Sequence, residues 1–315
     1  MPERLKIFYI DLFRKVNSNP YWLKAFQRLG ETRAFDIRKD IRNLDPLLRG
    51  SAPDHVHLGG SVKKGLIRPE TLARVKADTG CTITAFYGDA RYSPYHCRLA
   101  PVVDAIYINN KTHLKKNRAL GYTKFHYLPC PTDPEVFRPI ESRKRYDLLF
   151  IGNNNSTSRT RQLGEIHARF RLTVVGRGWE GCPFSALPEA YGEDFSMLVG
   201  QAKILLGVID EAWIGLEACF SNRLVNTLAC GAFFIQRYTP GLESLFKNHE
   251  HLVWYHKEDE LFSQIHRYLD SPSERQRIGA AGRSLVLENF TYDRAVRTIL
   301  GDSLLKNRRR EMSAQ

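Results

Sequence analysis

No stretch of about 18 consecutive apolar residues occurs in this 315-residue chain, so no membrane-spanning helix is expected. The first residues, MPERLKIFYIDLF, lack the layout of a secretory leader: Asp11 interrupts the apolar stretch and no small-residue cleavage pattern follows. Cysteines are few and unpaired in pattern. Cys81, Cys97, Cys130, Cys182, Cys219 and Cys230 contain no C-x-x-C, and His96-Cys97 has no second ligand pair at zinc spacing. That excludes a disulfide framework and a structural zinc, and the thiols read as reduced and mostly buried. Acidic residues are also short, 34 against 47 Lys and Arg, for a net charge of +13. What is present is ordinary for a globular protein: 43% apolar and 26% charged residues, enough for a core and for about two domains.

The charge is unevenly placed. Residues 1–144 hold 26 basic and 14 acidic residues, whereas residues 145–315 hold 21 and 20. One half therefore carries nearly all of the excess, which points to a polyanionic partner for that half. A solubilising surface charge is the alternative.

Apolar runs alternate with helical patterns. Strands are predicted over 5–12, 32–38, 53–60, 81–89, 103–110 and 124–129, with helices over 19–30 and 69–80. The stretch 129–145, rich in Pro and charge, reads as a linker. A second series follows, with strands at 146–154, 171–179, 203–209, 233–238 and 251–256. Its helices are predicted from about 158 to 169, through 221–231, and over two final segments ending near Phe290. The division is thus 1–140, 141–300 and a basic tail, 301–315. Such βαβ alternation gives α/β domains, each a parallel sheet covered by helices, with ligands at the carboxyl ends of the strands.

Several strand ends carry candidate chemistry. Gly152, Asn153 and Asn154 stand between a strand and a helix start, where backbone N–H groups favour an anion and Arg159 or Arg161 adds charge. Arg177, in Gly176-Arg177-Gly178, can clamp a diphosphate. In the first half, Gly59, Gly60 and Ser61 close a strand and offer N–H groups to a phosphate or an acceptor. Asp89, after Tyr87-Gly88, is the first choice for a general base and His57 the second. Asp89 can equally cap a helix or pair with Arg91, and His57 can be a satisfied core histidine. His55 and His57 share one strand face, so one can support the other.

The most specific stretch runs from Ser221-Asn222-Arg223-Leu224-Val225-Asn226 through Leu228-Ala229-Cys230-Gly231 to Gly241-Leu242-Glu243. Together with His251–Tyr255 and Asn289–Arg294, it resembles the donor-binding domain of GT-B glycosyltransferases, in particular the CgeB-like (spore maturation protein CgeB) group. The resemblance is strong over about 145–300 and weaker over 1–144. It implies two Rossmann-like βαβ domains facing across a cleft, the second holding a nucleotide sugar and the first an acceptor. By position, Asn226 would face the donor ribose, Arg223 and Arg177 the diphosphate, and Gly241, Leu242 and Glu243 the sugar or phosphates; Ser221 opens the same helix. Many GT-B enzymes carry Glu where Asn226 stands and again where Ala218 stands, so the two-glutamate arrangement is absent here. An amide can still hydrogen-bond ribose hydroxyls. No Asp-x-Asp occurs, which favours the GT-B mode, with Arg side chains and helix N-termini at the leaving group and no obligatory metal.

A UDP-sugar is the first choice of donor, with GDP- and dTDP-sugars as alternatives, and a hexose is the expected transferred group. Lysines and tyrosines interleave in the basic half, among them Lys63, Lys64, Lys111, Lys115, Lys116, Tyr92 and Tyr127, which suits a nucleic-acid backbone and an unstacked base. The acceptor classes left open are a hydroxymethylated base in DNA, a surface glycan or lipid-linked intermediate, and a protein side chain. A catalytically inactive GT-B scaffold that binds nucleic acid or assembles into a coat is the remaining reading. The expected location is the cytoplasm of a bacterium or of a phage-infected host.

Overall fold

A computed structural model describes residues 4–14, 18–39, 41–62, 66–88 and 92–301. The chain forms two units, Met1–Leu128 with Tyr292–Gln315, and Pro129–Thr291.

The first unit runs β1 (Lys6–Asp11), α1 (Asn19–Leu29), β2 (Glu31–Asp36), α2 (Leu44–Ser51), β3 (His55–Leu58), α3 (Pro69–Thr79), β4 (Thr82–Tyr87), α4 (Tyr95–Leu99), β5 (Ala105–Ile108), α5 (Lys111–Ala119) and β6 (Phe125–Tyr127). The strands form one parallel sheet in the order β2-β1-β3-β4-β5-β6. Side chains alternate across it, and both faces are covered. Phe8 and Ile10 of β1 join Val56, Leu58, Leu72, Val75 and Ile83 in one cluster. Ile7 and Tyr9 join Trp22, Phe26, Phe86 and Tyr107 in the other. Residues 292–301 are helical, and Tyr292, Ala295, Val296, Ile299 and Leu300 complete that second cluster.

The second unit runs β7 (Tyr146–Ile151), α6 (Thr157–His167), β8 (Leu172–Val175), β9 (Ala186–Leu187), α7 (Gly192–Gly200), β10 (Ala202–Gly207), α8 (Glu211–Ile214), α9 (Asn222–Ala229), β11 (Phe234–Arg237), β12 (Val253–Tyr255), α10 (Glu258–Leu269) and α11 (Pro272–Asn289). Its parallel sheet has the order β12-β11-β10-β7-β8-β9. Every strand predicted from the sequence is present. The pattern did not announce α2, α4, α5, α7, α8 or β9. In α5, KTHLKKNRA, only Leu114 and Asn117 are buried, so no apolar stripe marks it.

The stretch that reads as a linker is anchored on the second unit. Thr132 N–H donates to Phe290 O at 2.8 Å, Asp133 is 2% exposed, and Phe137 meets Phe195 edge to face. Contacts divide the chain at Leu128 and Pro129, and 292–301 returns to the first unit. All six cysteines are free thiols, four of them buried. Among the described residues, no helix is long and apolar enough to cross a membrane.

Asp11 organises the end of β1. Its Oδ1 accepts from Leu12 N–H (2.8 Å) and Ser61 N–H (3.1 Å), and its Oδ2 accepts from the Tyr9 hydroxyl (2.8 Å). Burial raises its pKa above the usual 3.8, against the pull of these hydrogen bonds. As pH rises past that value, the unfolded chain releases this proton first, so the stability this group contributes is full at acid pH and declines on the way up. Asp11→Asn keeps an acceptor for Leu12 and Ser61 and removes the titration. Urea unfolding between pH 3.5 and 7 should show the variant gaining on the native chain as pH rises; a constant difference would contradict the assignment.

Candidate functional site

In the second sheet the chain leaves β7 toward β8 on one side and returns to β10 on the other. Connections diverge there, which opens a crevice at the carboxyl ends of β7 and β10. A cavity of about 280 Å³ lies at that point. After β7 it is lined by Asn153, Asn155 and Arg159; after β10 by Gly207, Val208, Ile209, Asp210 and Trp213. Phe220, Ser221 and Arg223 close it at the start of α9, and Gln236 at the end of β11.

Two guanidinium groups share one aromatic ring in this cavity. Cζ of Arg223 lies 4.4 Å and Cζ of Arg159 lies 5.7 Å from the centre of the Phe150 ring. Arg159 is 7% exposed, and its Nη1 donates to Asn153 O and Asn155 Oδ1, both at 2.7 Å. Arg223 Nη1 reaches Val208 O at 3.4 Å. The Nε of each is buried without a partner, and among the described residues neither guanidinium forms an ion pair. Lost hydration lowers the pKa of Arg223 to about 9, with the charge of Arg159 as the second cause. Arg159 is lowered by burial too, although Asp210 pulls the other way. Two partly desolvated cations, neither in ion-pair contact with a carboxylate among the described residues, favour a bound anion. The N-terminal pole of α6, just beyond Asn155, has the same sign.

The structure gathers only some of the sequence candidates here. Gly152 lies directly under Arg223: a Cβ on it would stand 2.6 Å from Nη2. Asn153 lines the cavity and also ties two loops together, donating to Glu189 (2.7 Å) and accepting from Arg177 N–H (3.1 Å). Asn154 continues the tie, with its N–H on Arg177 O and its Oδ1 accepting from Thr160. Ser221 lines the cavity. Arg177 is exposed, pairs with Glu189 at 3.2 Å and does not line the cavity. Arg161 is exposed and pairs with Glu165 and Glu258, so of the two basic candidates Arg159 is the one at the cavity.

Asn226 lies outside the cavity lining, and its Oδ1 accepts from the Thr132 hydroxyl at 2.7 Å. The loop of Gly241, Leu242 and Glu243 also lies outside it. Gly241 is left-handed, the Leu242 side chain is fully buried, and Glu243 accepts from the Tyr238 hydroxyl.

In the first unit, His55 and His57 do share a face, and both bond to the Thr84 hydroxyl, at 2.9 and 2.8 Å. His57 is 1% exposed, packs against Tyr9, Trp22 and Phe26, and burial pushes its pKa well down. That is the setting of a core imidazole, closed to a substrate. Gly59 N–H is taken by Ile10 O and Ser61 N–H by Asp11, so these two groups are spent inside the fold. Asp89 lies outside the described residues. Among the described residues, no group of three or more His, Cys, Asp or Glu could hold a metal ion.

Gly152→Ala offers a direct check on the anion site. The added methyl would meet Arg223 Nη2 at 2.6 Å and Phe150 Cζ at 3.1 Å. The flexible guanidinium should yield first, at a stability cost of about 1–2 kcal/mol. Calorimetric titration with pyrophosphate should show affinity falling about tenfold or more, while thermal unfolding stays cooperative. Unchanged affinity would remove Arg223 from the site.

Residues 158–301 match a family model described as glycosyl transferase-like. No curated protein matches the chain. Among solved structures, sucrose-phosphate synthase from Thermosynechococcus elongatus is similar, with a TM-score of 0.71 and 13% identity over 99% of this chain and 100% of that one. HepE from Anabaena in complex with UDP and glucose gives 0.66 and 10% over 95% and 100%. An alpha-glucosyltransferase in complex with UDP and a 13-mer DNA containing a HMU base gives 0.68 and 10% over 96% and 99%. The α/β class and GT-B fold expected from the sequence are therefore borne out.

Proposed function

We propose that the chain is a glycosyltransferase that moves a hexose from a nucleotide sugar to a hydroxyl of a polyanionic acceptor. The observation that carries this reading is the guanidinium pair, Arg159 and Arg223, free of ion pairs among the described residues, at the strand ends of the unit that matches a glycosyl transferase-like model. In transfer, the bond from the anomeric carbon to the diphosphate oxygen breaks and negative charge grows on the leaving group. Cations already fixed at that oxygen stabilise the growing charge without reorganising. The acceptor hydroxyl forms the new bond, and its proton goes to a base, for which Asp89 is the candidate. The UDP- and UDP-and-glucose-bound relatives support UDP as the nucleotide. The pattern of Arg223, Asn226 and Gly241–Glu243 supports the CgeB-like grouping.

For the acceptor we infer DNA. Helix α5 carries Lys111, Lys115, Lys116 and Arg118 and no acidic residue. Lys111 Nζ lies 5.4 Å from the Tyr127 ring centre and Lys116 Nζ lies 3.9 Å from that of Tyr92. Cations held beside aromatic rings suit phosphates and an unstacked base. A relative bound to DNA with a modified base supports the same choice.

An assay of hexose release or transfer from UDP-, GDP- and dTDP-sugars tests the reading. Arg223→Gln should lower turnover about 10²- to 10³-fold, and excess EDTA should leave the native rate unchanged, because guanidinium groups do the work of a metal. Asp89→Asn should abolish transfer and spare donor binding. Loss of activity in EDTA, or full activity in Arg223→Gln, would overturn it.

The acceptor is tested separately by DNA affinity against salt. Lys111→Glu with Lys116→Glu should weaken binding and reduce the salt slope by about one to two. A flat salt response in the native chain would favour the glycan or lipid-linked acceptors.

A further inference from the structure

We propose that Gln236 is a specificity residue of the same cavity, donating its carboxamide N–H to an uncharged oxygen of the bound nucleotide sugar; this rests on the donor-site reading above. Gln236 lies in β11 one residue before its end, lines the cavity and is 3% exposed. Its Nε2 is buried with no partner. A buried amide N–H left unmade is costly, so a site that keeps one open is built for a ligand to complete it. Thr227 and Gln264 also leave an atom unpartnered, but neither lines this cavity.

The sequence makes room for this side chain. Register pairs Gly207 of β10 with Gln236. A Cβ on Gly207 would stand 2.6 Å from both Gln236 Cβ and Phe234 Cζ. No residue larger than glycine fits there while Gln236 keeps its place.

Position then separates the two halves of the ligand. Arg159 and Arg223 gather over Phe150 of β7, whereas Gln236 belongs to β11, with β10 between. Two strand spacings separate Phe150, beneath Arg159 and Arg223, from Gln236 by roughly 10 Å across the sheet, and Arg223 reaches from that ring to Val208 O at the end of β10. A diphosphate seated on the guanidinium pair leaves Gln236 to meet a hydroxyl or carbonyl of the nucleoside or sugar.

Titration calorimetry of Gln236→Met with pyrophosphate and with UDP-, GDP- and dTDP-glucose tests the proposal, since Met keeps the length and removes the N–H. Affinity for whichever nucleotide sugar the native chain binds should fall about tenfold, with pyrophosphate affinity within about twofold. Arg223→Gln should weaken both. Gln236→Leu provides a second apolar variant should the first lose its cooperative thermal transition. Unchanged nucleotide-sugar affinity in a folded variant would overturn the role of Gln236, and an equal loss for pyrophosphate would overturn its assignment to the uncharged part. A native chain that binds pyrophosphate but none of the nucleotide sugars overturns the donor-site reading and this inference with it.

Discussion

Two like charges held on one aromatic ring are the constraint around which the second unit is organised. Arg159 and Arg223 would repel less in water than at the edge of a packed sheet, yet the chain holds both over Phe150. The arrangement survives because each guanidinium has some compensation: backbone and Asn oxygens for Arg159, a carbonyl and the ring face for Arg223. The compensation is incomplete, as the two unpartnered Nε atoms and the pKa of Arg223 near 9 record. Such a site is stabilised most by what completes it, a ligand with two adjacent anionic groups. On the donor-site reading proposed above, the diphosphate would be that ligand, and its binding energy would fall where the leaving group gains charge.

The fold supplies the location and small residues supply the clearance. Strand order alone puts the crevice between β7 and β10. Gly152 then lets a guanidinium lie over the end of β7, and Gly207 lets Gln236 lie over the end of β10. These glycines act as floors beneath the side chains that line the cavity, at Gly152 under a flexible guanidinium and at Gly207 against Gln236 Cβ and the buried Phe234 ring.

Much of this was legible in the sequence, for identifiable reasons. Short continuous apolar runs such as KIFYID and YDLLFI gave the strands, because a strand covered on both faces is apolar on both. A strand end followed by glycine pointed to Gly152, and the resemblance to a GT-B donor-binding domain pointed to Ser221 and Arg223. What stayed hidden depends on neighbours far along the chain. Arg159 and Arg223 are brought together only by β7 and β10 pairing, and no spacing rule links them. Gln236 sits in a strand that otherwise reads as a simple apolar run. Arg177, Asn226 and the Gly241–Glu243 loop carry the right chemical types, but local partners, Glu189, Thr132 and Tyr238, hold them elsewhere. The return of residues 292–301 to the first unit was likewise invisible, since a helix pattern does not say which sheet it covers.

The two sheets also show how one topology serves two ends. In each, the first strand lies at the point where the order reverses: β1 beside β2 and β3, β7 beside β8 and β10. In the first unit this point is closed from within, because Asp11 accepts from Leu12, Ser61 and Tyr9 and leaves no donor of that group for a ligand. In the second unit the chain places cations at the same point and no carboxylate in ion-pair contact with them among the described residues. One strand end is saturated by its own acid; the other gathers two guanidinium groups, with Asp210 on the cavity wall beside them. The difference comes from side chains, an acid on the strand itself in the first unit and guanidinium groups carried in from α6 and α9 in the second, on the same parallel-sheet topology.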